Sequence, residues 1–172
     1  MERNRIKKIA VIGAESTGKT WLCEQLAAHF STAWVPEYAR EYFNDSDIYN
    51  YSLGDLEIIA EQQLLLEEEC MHAANTYLFC DTAMITLKIW ADLEFGKPSK
   101  RLQALIDKGF YDLYLICDNS VPWQADPQRL NKFSRELIFE LNQKEAMATR
   151  SAFAIISGSG ESRLQQAIRA CS

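Results

Sequence analysis

A glycine-rich segment near the start of the chain has the clearest chemical signature in the sequence. Residues 13–20, GAESTGKT, match the pattern G-x-x-x-x-G-K-[ST] in full. Glycines let backbone N–H groups approach a polyphosphate closely, and a helix that starts here adds its N-terminal dipole. Lys19 can then bind the β and γ phosphates, while the Thr20 hydroxyl can ligate Mg²⁺. We therefore predict a nucleoside triphosphate site formed by Gly13, Glu15, Ser16, Thr17, Gly18, Lys19 and Thr20.

Two acidic residues follow short apolar runs farther along the chain. Glu37 follows residues 33–36, and Asp81 follows residues 76–80. If both runs are parallel strands, their carboxyl ends lie at the ligand-binding edge of one sheet. Asp81 then suits Mg²⁺ binding, with a helix N-cap as its structural alternative. Glu37 suits acceptor binding or general-base catalysis and Arg40 a substrate contact, with a surface ion pair between them as the alternative.

A loop with two prolines, within a lid at about residues 119–135, supplies further candidates. Arg129 and Arg135 could stabilise charge on a transferring phosphoryl group, and a solvated polar loop is the alternative. Trp123 and Tyr38 could stack on an aromatic cationic ligand, although packing in the core is the commoner role of such rings. Gly160 could contact adenine, or it could belong to an ordinary turn before a helix.

Apolar runs and helical patterns alternate along the whole chain. Strands are predicted at residues 6–12, 33–36, 76–80, 111–117 and 153–156, and helices at 19–30, 52–75, 83–95, 99–108, 131–150 and 161–170. The three glutamates at 67–69 are interpreted as a solvated helix face. This alternation predicts one domain over residues 1–172 with a three-layer α/β fold of the P-loop NTPase type, in which helices cover both faces of a five-stranded parallel sheet.

Composition excludes several other classes of protein. The chain has 172 residues and a formal net charge of −6, which is unlike a duplex-DNA reader or a basic membrane-surface protein. No apolar run approaches the roughly 18 residues of a membrane span. The five cysteines are scattered and the two histidines are too few for a metal cluster. We therefore expect a cytoplasmic protein with free thiols and with neither nucleic acid nor membrane as a partner.

Motif details favour a small-molecule kinase over other nucleotide-binding classes. A guanine-reading GTPase usually carries N-K-x-D, whereas residues 131–134 read NKFS. An AAA+ ring or a helicase would show Asp-Glu after an apolar strand, whereas residues 79–82 read FCDT. A small-molecule kinase needs an acid near the acceptor hydroxyl and arginines on a closing lid. Both features are present.

Five segments together resemble the ribosylnicotinamide kinase domain of the NadR family. They are the phosphate loop, PEYAR at 36–40, FCDT at 79–82, and YDLYL at 111–115 with PWQADPQR at 122–129. The resemblance runs from about residue 6 to residue 170. It implies that ATP phosphorylates the 5′-hydroxyl of nicotinamide riboside, giving nicotinamide mononucleotide in NAD salvage.

Roles follow from the motifs and the resemblance taken together. Lys19, Glu37, Asp81 and Arg129 are expected to be catalytic, Thr20 and Asp81 to bind Mg²⁺, and Arg129, Arg135 and Gly160 to contact ATP. The expected substrate contacts are Glu37, Tyr38, Arg40, Asp81 and Trp123. Two other functions stay open, a kinase for another nucleoside or small hydroxyl compound and a regulatory ATP-binding module without turnover. The sequence also leaves a homo-oligomer open.

Overall fold

A single parallel sheet organises the chain, of which the computed structural model describes residues 5–128 and 133–172. The five strands are β1 (Lys7–Gly13), β2 (Trp34–Val35), β3 (Tyr77–Asp81), β4 (Leu113–Cys117) and β5 (Ala152–Ile156). They pair in the order β2-β3-β1-β4-β5, and every pair is parallel. The predicted five-stranded parallel α/β fold is confirmed.

Helices follow the strands as the sequence pattern predicts. They are α1 (Lys19–Phe30), α2 (Tyr38–Tyr42), α3 (Leu53–Met71), α4 (Met84–Phe95), α5 (Lys100–Lys108), α6 (Arg135–Ala148) and α7 (Gly160–Cys171). The short α2 lies inside the connection between β2 and α3 and adds one element to those predicted. No helix in the described ranges is long and apolar enough to cross a membrane.

The ends of α3 show how local chemistry sets a helix boundary. Ser52 is the N-cap: its hydroxyl oxygen accepts from the Asp55 backbone N–H, and its own N–H donates to the Asp55 carboxylate at 2.7 Å. This reciprocal pair satisfies backbone donors that have no partner within the helix. The helix ends at Met71, four residues before the predicted end at Asn75.

Two apolar layers hold the helices against the sheet. Ile9 and Val11 of β1 face α1 and α7, whereas Ala10 and Ile12 face the side covered by α3, α4 and α6. Successive side chains of a strand alternate between faces, so β1 is buried on both sides, as is usual for a central parallel strand. The polar groups of the site must therefore collect at the ends of the strands.

A charged network is buried on the α3 side of the sheet. Glu67 of α3 is only 1% exposed, so its interpretation as part of a solvated helix face is wrong. Its carboxylate accepts from Lys8 Nζ at 2.5 Å and from the Tyr111 hydroxyl at 2.6 Å. Tyr111 in turn accepts from the backbone N–H of Met84 at 3.3 Å. The network thereby fixes the start of α4 relative to β1 and α3.

Replacing Tyr111 with phenylalanine should lower the free energy of unfolding by about 1–3 kcal/mol, since the Met84 N–H and one Glu67 oxygen lose a buried partner. Urea unfolding followed by circular dichroism measures this change. Tyr49→Phe is the matched control because Tyr49 is 69% exposed, and it should shift stability by less than about 0.5 kcal/mol. Equal effects of the two substitutions would contradict the proposed anchoring of α4.

Candidate nucleotide and acceptor site

The phosphate loop joins the end of β1 to the start of α1. Gly13 has a φ of 149°, and a Cβ there would lie 2.7 Å from the carbonyl oxygen of Cys117. Gly18 is the N-cap of α1 with a φ of 78°, in the left-handed region that favours glycine. Backbone conformation therefore favours glycine at both positions of the motif, and at Gly13 the close approach of β4 leaves no space for a side chain.

Two side chains brace this loop from within. Lys19 Nζ donates to the carbonyl oxygens of Gly13 at 3.1 Å and Ala14 at 2.9 Å. The Thr17 hydroxyl also donates to the Ala14 carbonyl, at 2.8 Å. The ammonium group of Lys19 thus lies within the curve of the loop, where the motif predicts phosphate oxygens.

Asp81 at the end of β3 lies beside the phosphate loop. Its Oδ2 accepts from the Thr20 hydroxyl at 2.5 Å, and its Oδ1 is buried with no hydrogen-bond partner among the described residues. Burial raises the pKa of Asp81, while the charge of Lys19 acts in the opposite direction. The N-cap of α4 is Ala83, so the interpretation of Asp81 as that cap is wrong.

Oxygen donors of this kind fit Mg²⁺. Over residues 5–128 and 133–172, no cluster of three or more histidine, cysteine or acidic side chains could hold a metal ion. Mg²⁺ typically binds one or two protein oxygens and completes its coordination with phosphate and water. The Thr20 hydroxyl and the unpartnered Asp81 oxygen match that requirement.

Glu37 follows β2 and precedes α2. Its side chain is 16% exposed, and burial together with the charge of Asp81 raises the pKa of Glu37 to about 7. Lys19 and Arg40 counteract that shift. The Arg40 Nε lies 3.8 Å from Glu37 Oε2, so the ion pair given as the alternative is present, and both residues also line the main cavity of the site.

The described part of the lid contacts both the phosphate loop and α2. Arg135 Nη2 donates to the carbonyl oxygens of Val121 at 2.6 Å and Ser16 at 3.3 Å, and the Gln124 backbone N–H donates to the Ser16 hydroxyl oxygen at 2.7 Å. Arg40 Nη1 binds Asp126 Oδ2 at 3.1 Å. Arg129 lies outside the described residues, and its role stays a prediction.

One cavity of about 340 Å³ connects these groups. The phosphate loop, Glu37 and Arg40 line it. Its other lining residues are mostly apolar or aromatic and include Phe43, Ile48, Tyr51, Ile89, Trp90, Leu93, Trp123, Phe133, Arg135, Ile138 and Asn142. Of the remaining candidates, Tyr38 packs against the apolar cluster around α3 and α4, and Gly160 begins α7. Their proposed ligand contacts stay predictions.

Arg163 of α7 is a site-supporting residue that the sequence interpretation missed. It is 1% exposed, and its guanidinium donates to the carbonyl oxygen of Thr17 in the phosphate loop. It also donates to the Asp118 carbonyl and carboxylate oxygens, each at 3.1 Å, and to the Ile156 carbonyl at 3.3 Å. One buried side chain thereby joins the phosphate loop to the ends of β4 and β5.

A phosphate loop after the central strand of this parallel sheet defines a P-loop nucleotide-binding domain. Residues 8–163 match the family described as AAA domain, and the chain belongs to that family. Its β3 nevertheless ends at Asp81, and Thr82 follows where an AAA+ ring or a helicase is expected to have a glutamate.

The resemblance to NadR is confirmed by a relative in Escherichia coli (strain K12), the trifunctional NAD biosynthesis/regulator protein NadR. The two are 32% identical over 129 residues, which is 72% of this chain and 31% of the relative. The chain thus spans about a third of the length of the curated relative that it matches.

Two solved NadR structures share the fold. NadR in complex with NR superposes with a TM-score of 0.80 at 22% identity, over 96% of this chain and 50% of the other. NadR in complex with NAD and AMP-PNP gives a TM-score of 0.74 at 23% identity, over 96% and 48% of the two chains.

Substituting Arg163 by methionine keeps most of the side-chain length but removes the guanidinium donors of this residue, which bind the phosphate loop and the ends of β4 and β5. We expect a loss of about 3–5 kcal/mol in the free energy of unfolding, together with weaker nucleotide binding. Denaturant unfolding and calorimetric titration with ATP measure the two effects. Arg169→Met, an exposed position on the same helix, is the control. A destabilised variant with wild-type ATP affinity would mean that Arg163 does not shape the loop.

Proposed function

We propose that the chain is an ATP-dependent phosphotransferase that phosphorylates the 5′-hydroxyl of nicotinamide riboside to give nicotinamide mononucleotide. One observation carries the proposal: a continuous cavity is lined by the phosphate loop, by Glu37 and by an aromatic wall. This wall consists of Tyr51, Trp90 and Trp123. Such a cavity can hold a triphosphate and a flat aromatic acceptor side by side. The similarity to NadR, whose name includes NAD biosynthesis and which was crystallised with NR, supports this choice of acceptor.

The nucleotide half of the site positions the phosphates. The backbone of the phosphate loop and Lys19 would bind the β and γ phosphates, and Thr20 and Asp81 would hold Mg²⁺. Bound Mg²⁺ would neutralise charge on the transferring phosphoryl group. Arg135 already contacts the phosphate loop through Ser16, and its Nε has no hydrogen-bond partner in the described ranges. We therefore propose that Arg135 and Arg129 stabilise the charge of the phosphates.

The acceptor half binds the hydroxyl that attacks. Glu37, with a pKa raised to about 7, can accept the proton of this hydroxyl or hold the group in line with the γ phosphate. Arg40 would orient Glu37 and contact substrate. Phosphoryl transfer of this kind depends mainly on positioning and charge stabilisation, so proton removal is the smaller contribution.

An aromatic wall suits the nicotinamide ring. The ring centroids of Tyr51 and Trp90 are 6.4 Å apart, and the two rings are tilted by 42°. At that distance they contact each other, so they form one surface and do not enclose a base between them. Trp123 lines the same cavity from the lid and is 42% exposed. A cationic pyridinium ring on such a surface would gain about 0.5–2 kcal/mol from cation–π attraction.

Phosphoryl transfer to a panel of nucleosides, followed by mass spectrometry, tests the function. We expect product from nicotinamide riboside with MgATP, and loss of turnover by at least a hundredfold in Lys19→Ala with the fold intact. If only a different nucleoside gives product, the protein is a kinase for that nucleoside and not for nicotinamide riboside. Nucleotide binding without any product would support the regulatory module. We also propose that the protein acts in the cytoplasm on a small-molecule substrate, and that neither nucleic acid nor a membrane is its partner.

A pH profile of the wild-type protein and Glu37→Gln tests the acceptor side. Burial and the charge of Asp81 raise the pKa of Glu37 to about 7 in the metal-free protein, and bound Mg²⁺ would lower it. At saturating MgATP, kcat/KM for the riboside should therefore rise with pH as Glu37 ionises, with a midpoint at or below this value. Glu37→Gln should abolish that rise and lower turnover about 10²–10⁴-fold if Glu37 is the base. A loss mainly in KM would instead identify a binding contact. ATP affinity should change little, and unchanged riboside kinetics would contradict the assignment.

A further inference from the structure

Thr82, directly after Asp81, has a backbone conformation that threonine rarely adopts. Its φ is 79°, in the left-handed region, where a side chain branched at Cβ is strained. The Thr82 backbone N–H donates to the carbonyl oxygen of Val11 at 2.9 Å, which fixes this turn against β1. Glycine would adopt the same conformation without strain. Strain of this kind persists at functional sites, so the side chain itself needs an explanation.

The hydroxyl group of Thr82 has no structural role that would explain its presence. The residue is 6% exposed, and its Oγ1 is buried without a hydrogen-bond partner among residues 5–128 and 133–172. It does not cap α4, because the N-cap is Ala83 and no side chain provides the capping bond. Buried hydroxyl groups are nearly always hydrogen-bonded, so the missing partner is expected to be a ligand or water.

A small niche next to the main cavity limits the size of the group that can bind the Thr82 hydroxyl. The niche has a volume of about 10 Å³, and the residues that line both it and the main cavity are Glu37, Ala39, Thr82, Thr86 and Trp90. This volume is about that of a single water-sized group. Three of the five shared residues present a carboxyl or hydroxyl group. The niche therefore fits one hydroxyl group and is too small for an aromatic ring.

We propose that Thr82 binds a ribose hydroxyl of the acceptor, at the 2′ or 3′ position, and so selects ribosides over deoxyribosides. This inference rests on the proposed function. The attacking 5′-hydroxyl must point toward the phosphate loop, and the ring must lie on the larger aromatic wall. The ribose would lie between them, and Thr82 lines the same cavity as the phosphate loop and Trp90. The secondary hydroxyls of the ribose are the groups of a riboside that match the volume of this niche and the unpartnered hydroxyl of Thr82 that lines it.

The test compares Thr82→Val and Thr82→Ser with nicotinamide riboside and with its 2′-deoxy and 3′-deoxy analogues. Valine keeps the shape and the backbone strain but has no hydroxyl group. We expect Thr82→Val to lower kcat/KM for the riboside at least tenfold, mainly through KM, with no further loss on the analogue that lacks the recognised hydroxyl. Thr82→Ser should recover most of the preference for the riboside. The KM for ATP should stay within twofold of wild type in both variants.

A purely structural role for Thr82 would give a different pattern. In that case Thr82→Val would lower kcat/KM equally on the riboside and both analogues, and the inference would be overturned. Riboside kinetics equal to wild type would also overturn it. Thr82→Gly adds a second readout, because relief of strain should leave thermal stability equal or higher while the preference for the riboside is lost. Lower stability with the preference retained would contradict the inference.

Binding measured by tryptophan fluorescence separates this inference from the proposed function. Trp90 lines the niche, so occupancy should change its emission without any turnover. If the wild-type protein neither binds nor phosphorylates a riboside, the proposed function fails and this inference fails with it. If the wild-type protein phosphorylates the riboside and the analogues equally well, the proposed function stands and only the role of Thr82 is overturned.

Discussion

The hydrogen bond between Thr20 and Asp81 depends on β1 and β3 being neighbours in the sheet. Val11 of β1 is in register with Asp81, so the carboxylate lies at the level where the phosphate loop begins. Parallel neighbours cannot be joined by a tight turn, so the connection between them has to contain whole elements. Here it contains α1, β2, α2 and α3, which brings Glu37 to the same edge of the sheet. The position of both acids thus follows from strand order.

Two poorly solvated carboxyl groups at one site affect each other's ionisation. Burial is the largest cause of the raised pKa of both Glu37 and Asp81, and the charge of Asp81 adds to the shift at Glu37. A cation held by Asp81 would offset its negative charge and lower the pKa of Glu37. Metal binding would therefore favour the ionised form of Glu37, the form that could accept a proton. The two acids, placed together by topology, would then couple nucleotide loading to the charge of Glu37.

The sequence predicts this site wherever its chemistry is local. The phosphate loop is specified by residues close together in the chain, and the structure has it between β1 and α1. Glu67 could also have been found, since it continues the helical spacing of Leu56, Ala60 and Gln63 on the buried face of α3. Arg163 could not, because it reaches the Thr17 carbonyl across 146 residues of chain. The strain at Thr82 likewise follows from a turn that only the assembled sheet imposes.

Arg40 connects the two halves of the site. Its guanidinium lies near Glu37 on one side and binds Asp126 of the lid on the other, while its carbonyl oxygen accepts from Gln128 at 3.1 Å. A lid movement that breaks the bond to Asp126 would leave Arg40 free to interact more strongly with Glu37 or with a phosphate. Because the lid also contacts the phosphate loop through Ser16, the nucleotide that this loop binds can act on the lid. The charge beside Glu37 therefore depends on the same lid that contacts the phosphate loop.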